Sequence, residues 1–273
     1  MKFETFSRGW WEYETCPYIQ GKLARGHSFS KNHASIRKGI LKKHIQPYFG
    51  KKLLKNIKPA AIEKWLLAYV KKGYSSSAVN NSLQILKIML SEAERLGYIP
   101  LNPAKQIEPI KSTVKERKLI TADEVKTLFY GENRDNIWNG QLAYTANLLA
   151  LTSGMRLGEI QGLQVADVYD NYVHVRQSLE RGGYGLKDTK THEERRIPLP
   201  KDTLSALQAL ISENTEGFVF SRNGGKSPVA PTTITTPLYK ALKAIGITEE
   251  ERKSKNLTFH MWRYHNLLSI QTF

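Results

Sequence analysis

Between Ser28 and Gly97 the apolar positions recur at helical spacing, and the breaks between the runs are marked. Ile36, Ile40, Leu41 and Ile45 keep a three-to-four step that predicts one helix face, with Pro47 expected to end the segment. Pro59 stands where a first-turn proline belongs, Ile62, Trp65, Leu66, Tyr69 and Val70 form the next stripe, and Gly73 supplies a stop. A third helix is capped within 75–77, turns Val79, Leu83, Leu86, Leu90 and Ala93 inward, and ends near Gly97. Its other face presents Ser77, Asn80, Gln84, Lys87 and Ser91. Trp10, Trp11 and Tyr13, nearer the amino terminus, are expected to pack rather than to stack on bases.

The pattern then changes. Pro100, Pro103 and Pro109 break any helix, and the charged, aperiodic stretch at 111–118 reads as a linker. Thr121 followed by Glu124 is a capping-box signature that opens a helix through Val125, Leu128 and Phe129. Residues 141–151 form a mostly apolar helix leading into TSGMRLGEI. Beyond Gly162, Tyr172, Val173 and Val175 and then 195–199 are strand-like runs around the Gly182, Gly183 and Gly185 cluster, which predicts a small antiparallel sheet. Residues 204–211 and 232–245 are helical, 218–220 reads as a short buried strand, and 258–270 opens a further helix. The expected architecture is mainly α with a small antiparallel β-sheet: a helical domain over 1–107, a linker over 108–118 and an α+β domain over 119–273.

Composition narrows the partners. A single cysteine, Cys16, rules out an internal disulfide, no apolar run reaches the length of a membrane span, and MKFETFSRGWW lacks the layout of a signal peptide, so a reducing, cytoplasmic setting is expected. The formal charge is +16, and it is unevenly placed: residues 1–118 hold 23 Lys and Arg against 8 Asp and Glu, residues 119–273 hold 18 against 17. Such a field attracts a polyanion and gives salt-dependent binding, which makes nucleic acid the favoured partner over a membrane surface. Lys38, Lys42 and Lys43 on the first helix, with Ser77, Asn80, Gln84 and Lys87 on the third, are the candidate contacts.

Candidate chemistry sits in the second half, at Arg156 in TSGMRLGEI, Lys190 in LKDTKTHEERRIPLP, and His260 with Arg263 in LTFHMWRYHN. Singly, each is an ordinary surface or cap residue. Together they suit one chemistry, because two arginines can grip the non-bridging oxygens of a phosphodiester and stabilise the extra charge of an in-line transition state. A lysine at a hairpin tip can protonate a leaving 5′ oxygen, and a histidine can shuttle a proton near neutral pH. No metal or other cofactor is called for. RGGYGLK lacks the Lys and Ser or Thr of a P-loop, and His192 is followed four residues on by Arg196 rather than by the second histidine of a zincin.

With these positions in order, the chain resembles the tyrosine recombinases, the phage-integrase family. The first arginine box of that family looks like TSGMRLGEI, which implies a catalytic Arg156 and a supporting Glu159; its hairpin lysine matches Lys190 in TKT ahead of the IPL strand, and its His-x-x-Arg box matches His260 and Arg263. HIQPYFG, SEAERLGYI and LNPAKQI are similar to the family's SAM-like core-binding domain, so the resemblance spans essentially the whole chain. It implies site-specific recombination on double-stranded DNA at attachment or recombination sites, self-association on that DNA, and two domains closing on a duplex as a clamp, without membrane, metal or cofactor.

The chain also departs from the family. A His or Trp and then a nucleophilic tyrosine follow the second arginine there, whereas YHNLLSIQTF follows Arg263 here, and Tyr264 replaces the histidine common directly after that arginine. On a helix Tyr264 would point away from Arg263's face. The catalytic domain is therefore expected to lack its last helices, leaving apolar surface near Leu267, Leu268 and Ile270, and the chain as it stands is expected not to cleave. The alternative expectation is a catalytically dead DNA-binding remnant or modulator.

Overall fold

Residues 1–111, 118–138, 140–180, 185–188, 194–212 and 215–270 are described by a computed structural model, the side chains of 267–270 excepted. They fall into two units, Met1–Val114 and Lys115–Phe273.

The first unit is helical: α1 (Phe3–Phe6), α2 (Pro17–Ala24), α3 (Lys31–Ile40), a π-helical turn (Leu41–Ile45), α4 (Gln46–Phe49), α5 (Pro59–Lys71) and α6 (Ser76–Arg95). Ser30 and Ser75 cap α3 and α6, each accepting a hydrogen bond from a backbone N–H three residues on. The stripes on α5 and α6 face inward as the spacing predicts, except that Val70 is exposed. Two features depart from the pattern. Ile36 is 52% exposed, because Ala34, Leu41 and Ile45 take the inner positions and leave it on the outer face. The helix also passes Pro47, which sits in the first turn of α4, where a missing N–H costs nothing. The amino terminus adds α1 and α2, not expected from periodicity; Phe3, Phe6, Trp10, Trp11 and Ile19 are buried there, so the tryptophans pack as anticipated.

The proline-rich stretch after Gly97 is not a loose tether at its start. Asn102 donates to the Lys87 carbonyl and to Ser91 Oγ, and its own oxygen accepts from Ala104 N–H. Ala104 and Ile107 are buried against the first core, so 102–110 lies along α6 as a strap.

The second unit runs α7 (Ala122–Tyr130), α8 (Arg134–Trp138), α9 (Gln141–Ser153), α10 (Leu157–Gln161), β1 (Tyr172–Val175), β2 (Gln177–Leu179), β3 (Leu186–Asp188), β4 (Arg195–Pro198), α11 (Lys201–Ile211), α12 (Pro231–Ala244), α13 (Glu249–Ser254) and α14 (Met261–Ile270). The capping box read at Thr121 and Glu124 forms with both hydrogen bonds. α9 is mostly apolar and largely buried, with α11, α12 and α14 packed about it. Strands pair antiparallel as β1 with β4 and β2 with β3, two short ribbons rather than one sheet. Phe218 and Ser221 make isolated bridges in place of the expected strand, while Val219 and Phe220 are buried as expected. Among the described residues no helix is long and apolar enough to cross a membrane.

Candidate functional site

The site begins where α9 ends. Gly154 closes the helix in the left-handed conformation at φ +64°, and two residues later Arg156 is extended and stands at the start of α10. Glu159, in the first turn of α10, accepts the Arg156 backbone N–H at 2.9 Å through Oε2 and the Arg156 guanidinium at 2.7 Å through Oε1. The GMRLGE spacing thus fixes the arginine to its own helix.

A second guanidinium reaches the same carboxylate from β4. Arg195 donates to Glu159 Oε2 at 2.6 Å and to Oε1 at 3.3 Å. Burial pushes the Glu159 carboxyl up, but the hydrogen bonds from Arg195, from the Arg156 N–H and from the Arg156 side chain outweigh it and hold the group below the ordinary carboxylate value. Arg195 was not singled out from sequence. Its signal was the strand period: Arg195 and Ile197 alternate inward with Arg196 and Pro198 outward, and an inward arginine needs a partner.

Arg263 arrives from the other end of the chain on α14. Its Nη1 donates to the Gly154 carbonyl at 2.8 Å, so it closes on the turn that presents Arg156. Burial and then repulsion from Arg156 lower its pKa, with Arg195 adding repulsion and Glu159 opposing it. The register of α14 on α9 is set by side chains on either side of Arg263. Trp262 donates to Asn147 Oδ1 at 2.8 Å, and Asn266 donates to the Leu151 and Thr152 carbonyls at 3.2 and 2.8 Å, covering the end of α9.

His260 lies just before α14 and is exposed, with its ring edge-on to Tyr264 at 5.2 Å. Tyr264 lines a small cleft with Lys118, Leu119, Asn256 and Thr258, a different face of α14 from the one Arg263 uses. Lys190 lies outside the described residues, as do His192 and the Gly182 and Gly183 turn. The structure therefore brings Arg156, Glu159 and Arg263 together and adds Arg195. A cluster with two positive charges in excess, partly open to solvent, is suited to a phosphate or another oxyanion.

The candidate contacts in the first unit divide. Lys42, Lys43, Ser77 and Gln84 are exposed, and Lys38 is exposed but paired with Glu12 at 2.5 Å. Asn80 and Lys87 are occupied by the strap instead. Asn80 exchanges two 2.8 Å hydrogen bonds with the Ile110 backbone, and Lys87 Nζ donates to the Ile107 carbonyl at 2.7 Å. Their polarity, read from sequence as facing a ligand, holds the chain leaving α6.

Comparison with known proteins gives the family and the fold. Residues 118–269 match the phage integrase family model, and residues 34–68 match the model of the N-terminal SAM-like domain of phage integrases. The chain is 27% identical to the integrase of Escherichia phage HK022 over 212 residues, covering 78% of this chain and 56% of that one. It is 26% identical to a tyrosine recombinase of Thermosipho africanus over 234 residues, covering 84% of this chain and 77% of that one. Among solved structures, the Tn1549 transposon integrase in complex with transposon right end DNA superposes with a TM-score of 0.75 at 20% identity, covering 93% of this chain and 85% of that one. A lambda integrase dimer bound to a COC′ core site gives 0.69 at 18% identity, covering 97% and 88%.

Proposed function

The chain belongs to the phage integrase family, the tyrosine recombinases, and on that premise we propose that it binds duplex DNA at recombination sites and holds a backbone phosphodiester between Arg156 and Arg263. The observation that carries this reading is the seating of both arginines on one turn, Arg156 through Glu159 and Arg263 through the Gly154 carbonyl, although they lie 107 positions apart in the sequence. Two guanidinium groups so placed match the non-bridging oxygens of a phosphate and stabilise the charge that builds when its phosphorus is attacked. In the family reaction a tyrosine oxygen attacks phosphorus, a 3′-phosphotyrosine forms and the 5′ oxygen leaves with a proton. Lys190 and His260 match in sequence the positions that would supply that proton and assist its transfer where such a tyrosine is present, and the covalent link would conserve the phosphoester so that reversal needs no external energy. The basic first unit adds phosphate contacts at Lys42 and Lys43. Relatives crystallised as a dimer and a tetramer on DNA support self-association on the site. The single buried cysteine suits a cytoplasmic protein.

A second reading, binding without cleavage, is favoured by Tyr264: the tyrosine beside Arg263 is turned to His260 and the Lys118 cleft. A duplex carrying a bridging phosphorothiolate separates the two. Gel-shift binding with no DNA-linked protein band supports the second reading, a covalent band supports the first, and loss of neither band nor binding in Arg156→Ala would remove the phosphate clamp from both.

A further inference from the structure

Resting on the phosphate-clamp reading, we infer that Arg195 is a positioning residue: gripping Glu159 with two nitrogens, it fixes the carboxylate against which Arg156 is aligned. A carboxylate offers about four acceptor positions. Glu159 fills them with the two Arg195 contacts, the Arg156 N–H and the Arg156 Nη1, so its plane has no freedom to turn. The two arginines divide the work by how many nitrogens each commits. Arg195 commits both of its terminal nitrogens to Glu159, while Arg156 commits only Nη1 to it. The strand period agrees, since Arg195 points inward beside Ile197 and its neighbour Arg196 turns outward over the Tyr172 ring.

The surroundings make Glu159 depend on this grip. Its carboxylate is 1% exposed, and burial is the largest single influence on its protonation, acting against the charged form. Among the described residues its charged neighbours are Arg156 at the start of its own helix, Arg195 from β4 and Arg263 from α14. α9 and β2, which pack on α10, bring it no carboxylate, lysine, arginine or histidine. Without Arg195 the burial is opposed chiefly by Arg156, so protonation of Glu159 becomes easier, and a protonated Glu159 no longer holds the Arg156 guanidinium as an ion pair.

The test reads Glu159 and DNA separately. The Glu159 carboxyl carbon, assigned by its loss in Glu159→Gln, is titrated by carbon-13 NMR without DNA, and affinity for a short mixed-sequence duplex is measured across the same pH range. In Arg195→Gln the titration is expected to move up by about one pH unit or more. Duplex affinity is expected to fall roughly tenfold, with a pH dependence that follows the titration and disappears in the Glu159→Gln background. Arg195→Lys, the milder change, is expected to move both in the same direction by less. An unmoved titration in either variant, or an affinity loss that is pH-independent and intact in the Glu159→Gln background, overturns the inference. Wild-type duplex affinity in Arg156→Ala would instead overturn the phosphate clamp, while the DNA-free titration still reports on Arg195.

Discussion

Trp262 donates its indole N–H to Asn147 Oδ1 at 2.8 Å, tying α14 to the buried heart of α9 one residue before Arg263. Asn147 is fully buried, and its amide nitrogen is bonded to the Ala143 and Ile234 carbonyls, so its oxygen is fixed toward Trp262. A polar pair in an apolar core is costly to break and specific when intact, and here it sets the rotation of the helix that carries the second arginine.

Asn147→Ala leaves the indole N–H of Trp262 without its partner in a site closed to water. The expected cost is about 1–3 kcal/mol, read from urea unfolding. Duplex affinity should fall with it, because Arg263 loses its register.

Gly154→Ala tests the turn shared by both arginines. The residue has φ +64°, and an added Cβ would stand 2.9 Å from Asn266 Oδ1. The left-handed backbone alone costs a non-glycine residue about 1–2 kcal/mol. A lower urea midpoint and weaker duplex binding are expected, since Asn266 must move off the Leu151 and Thr152 carbonyls.

Lys42→Ala with Lys43→Ala should weaken duplex binding and flatten the logarithmic salt slope by about one unit or more. Asn80→Ala should act on stability instead. It removes both hydrogen bonds to Ile110, costing on the order of 2 kcal/mol in unfolding experiments, and leaves the salt slope unchanged.

Glu159 gives the fold a pH dependence of known sign. Its folded-state pKa lies below the ordinary 4.5, so the carboxylate stabilises the native state fully above that value and loses its effect as pH falls through the lowered one. Glu159→Gln is expected to lower stability by on the order of 3 kcal/mol at neutral pH, with the gap to the parent narrowing in acid. A gap that widens below pH 4.5 would contradict the pairing.

What could be read from sequence was local. The Thr121 and Glu124 box, the Ser75 cap and Pro59 in a first turn act within a few positions, so spacing alone placed them, and Glu159 three residues after Arg156, implied by the family resemblance, is a contact of the same short range. Ile36 went wrong because two apolar spacings overlapped on α3, and packing against the rest of the unit chose Ala34, Leu41 and Ile45. The intrachain bonds of Asn80 and Lys87 were not legible for another reason: their partners lie 30 and 20 residues away on a proline-rich strap that carries no period. Arg195 lies 36 residues from Glu159, and sequence offered its inward parity but not its partner. The site's convergence is a long-range property of the fold, and α14 delivers it through Trp262, Arg263 and Asn266.

A crystal structure of the protein soaked with vanadate tests the central claim most directly. The expected result is one oxyanion held by both Arg156 and Arg263, with nitrogen-to-oxygen distances of about 2.7–2.9 Å. An anion bound to one of these arginines with the other turned away, or an empty cluster at saturating vanadate, would contradict it.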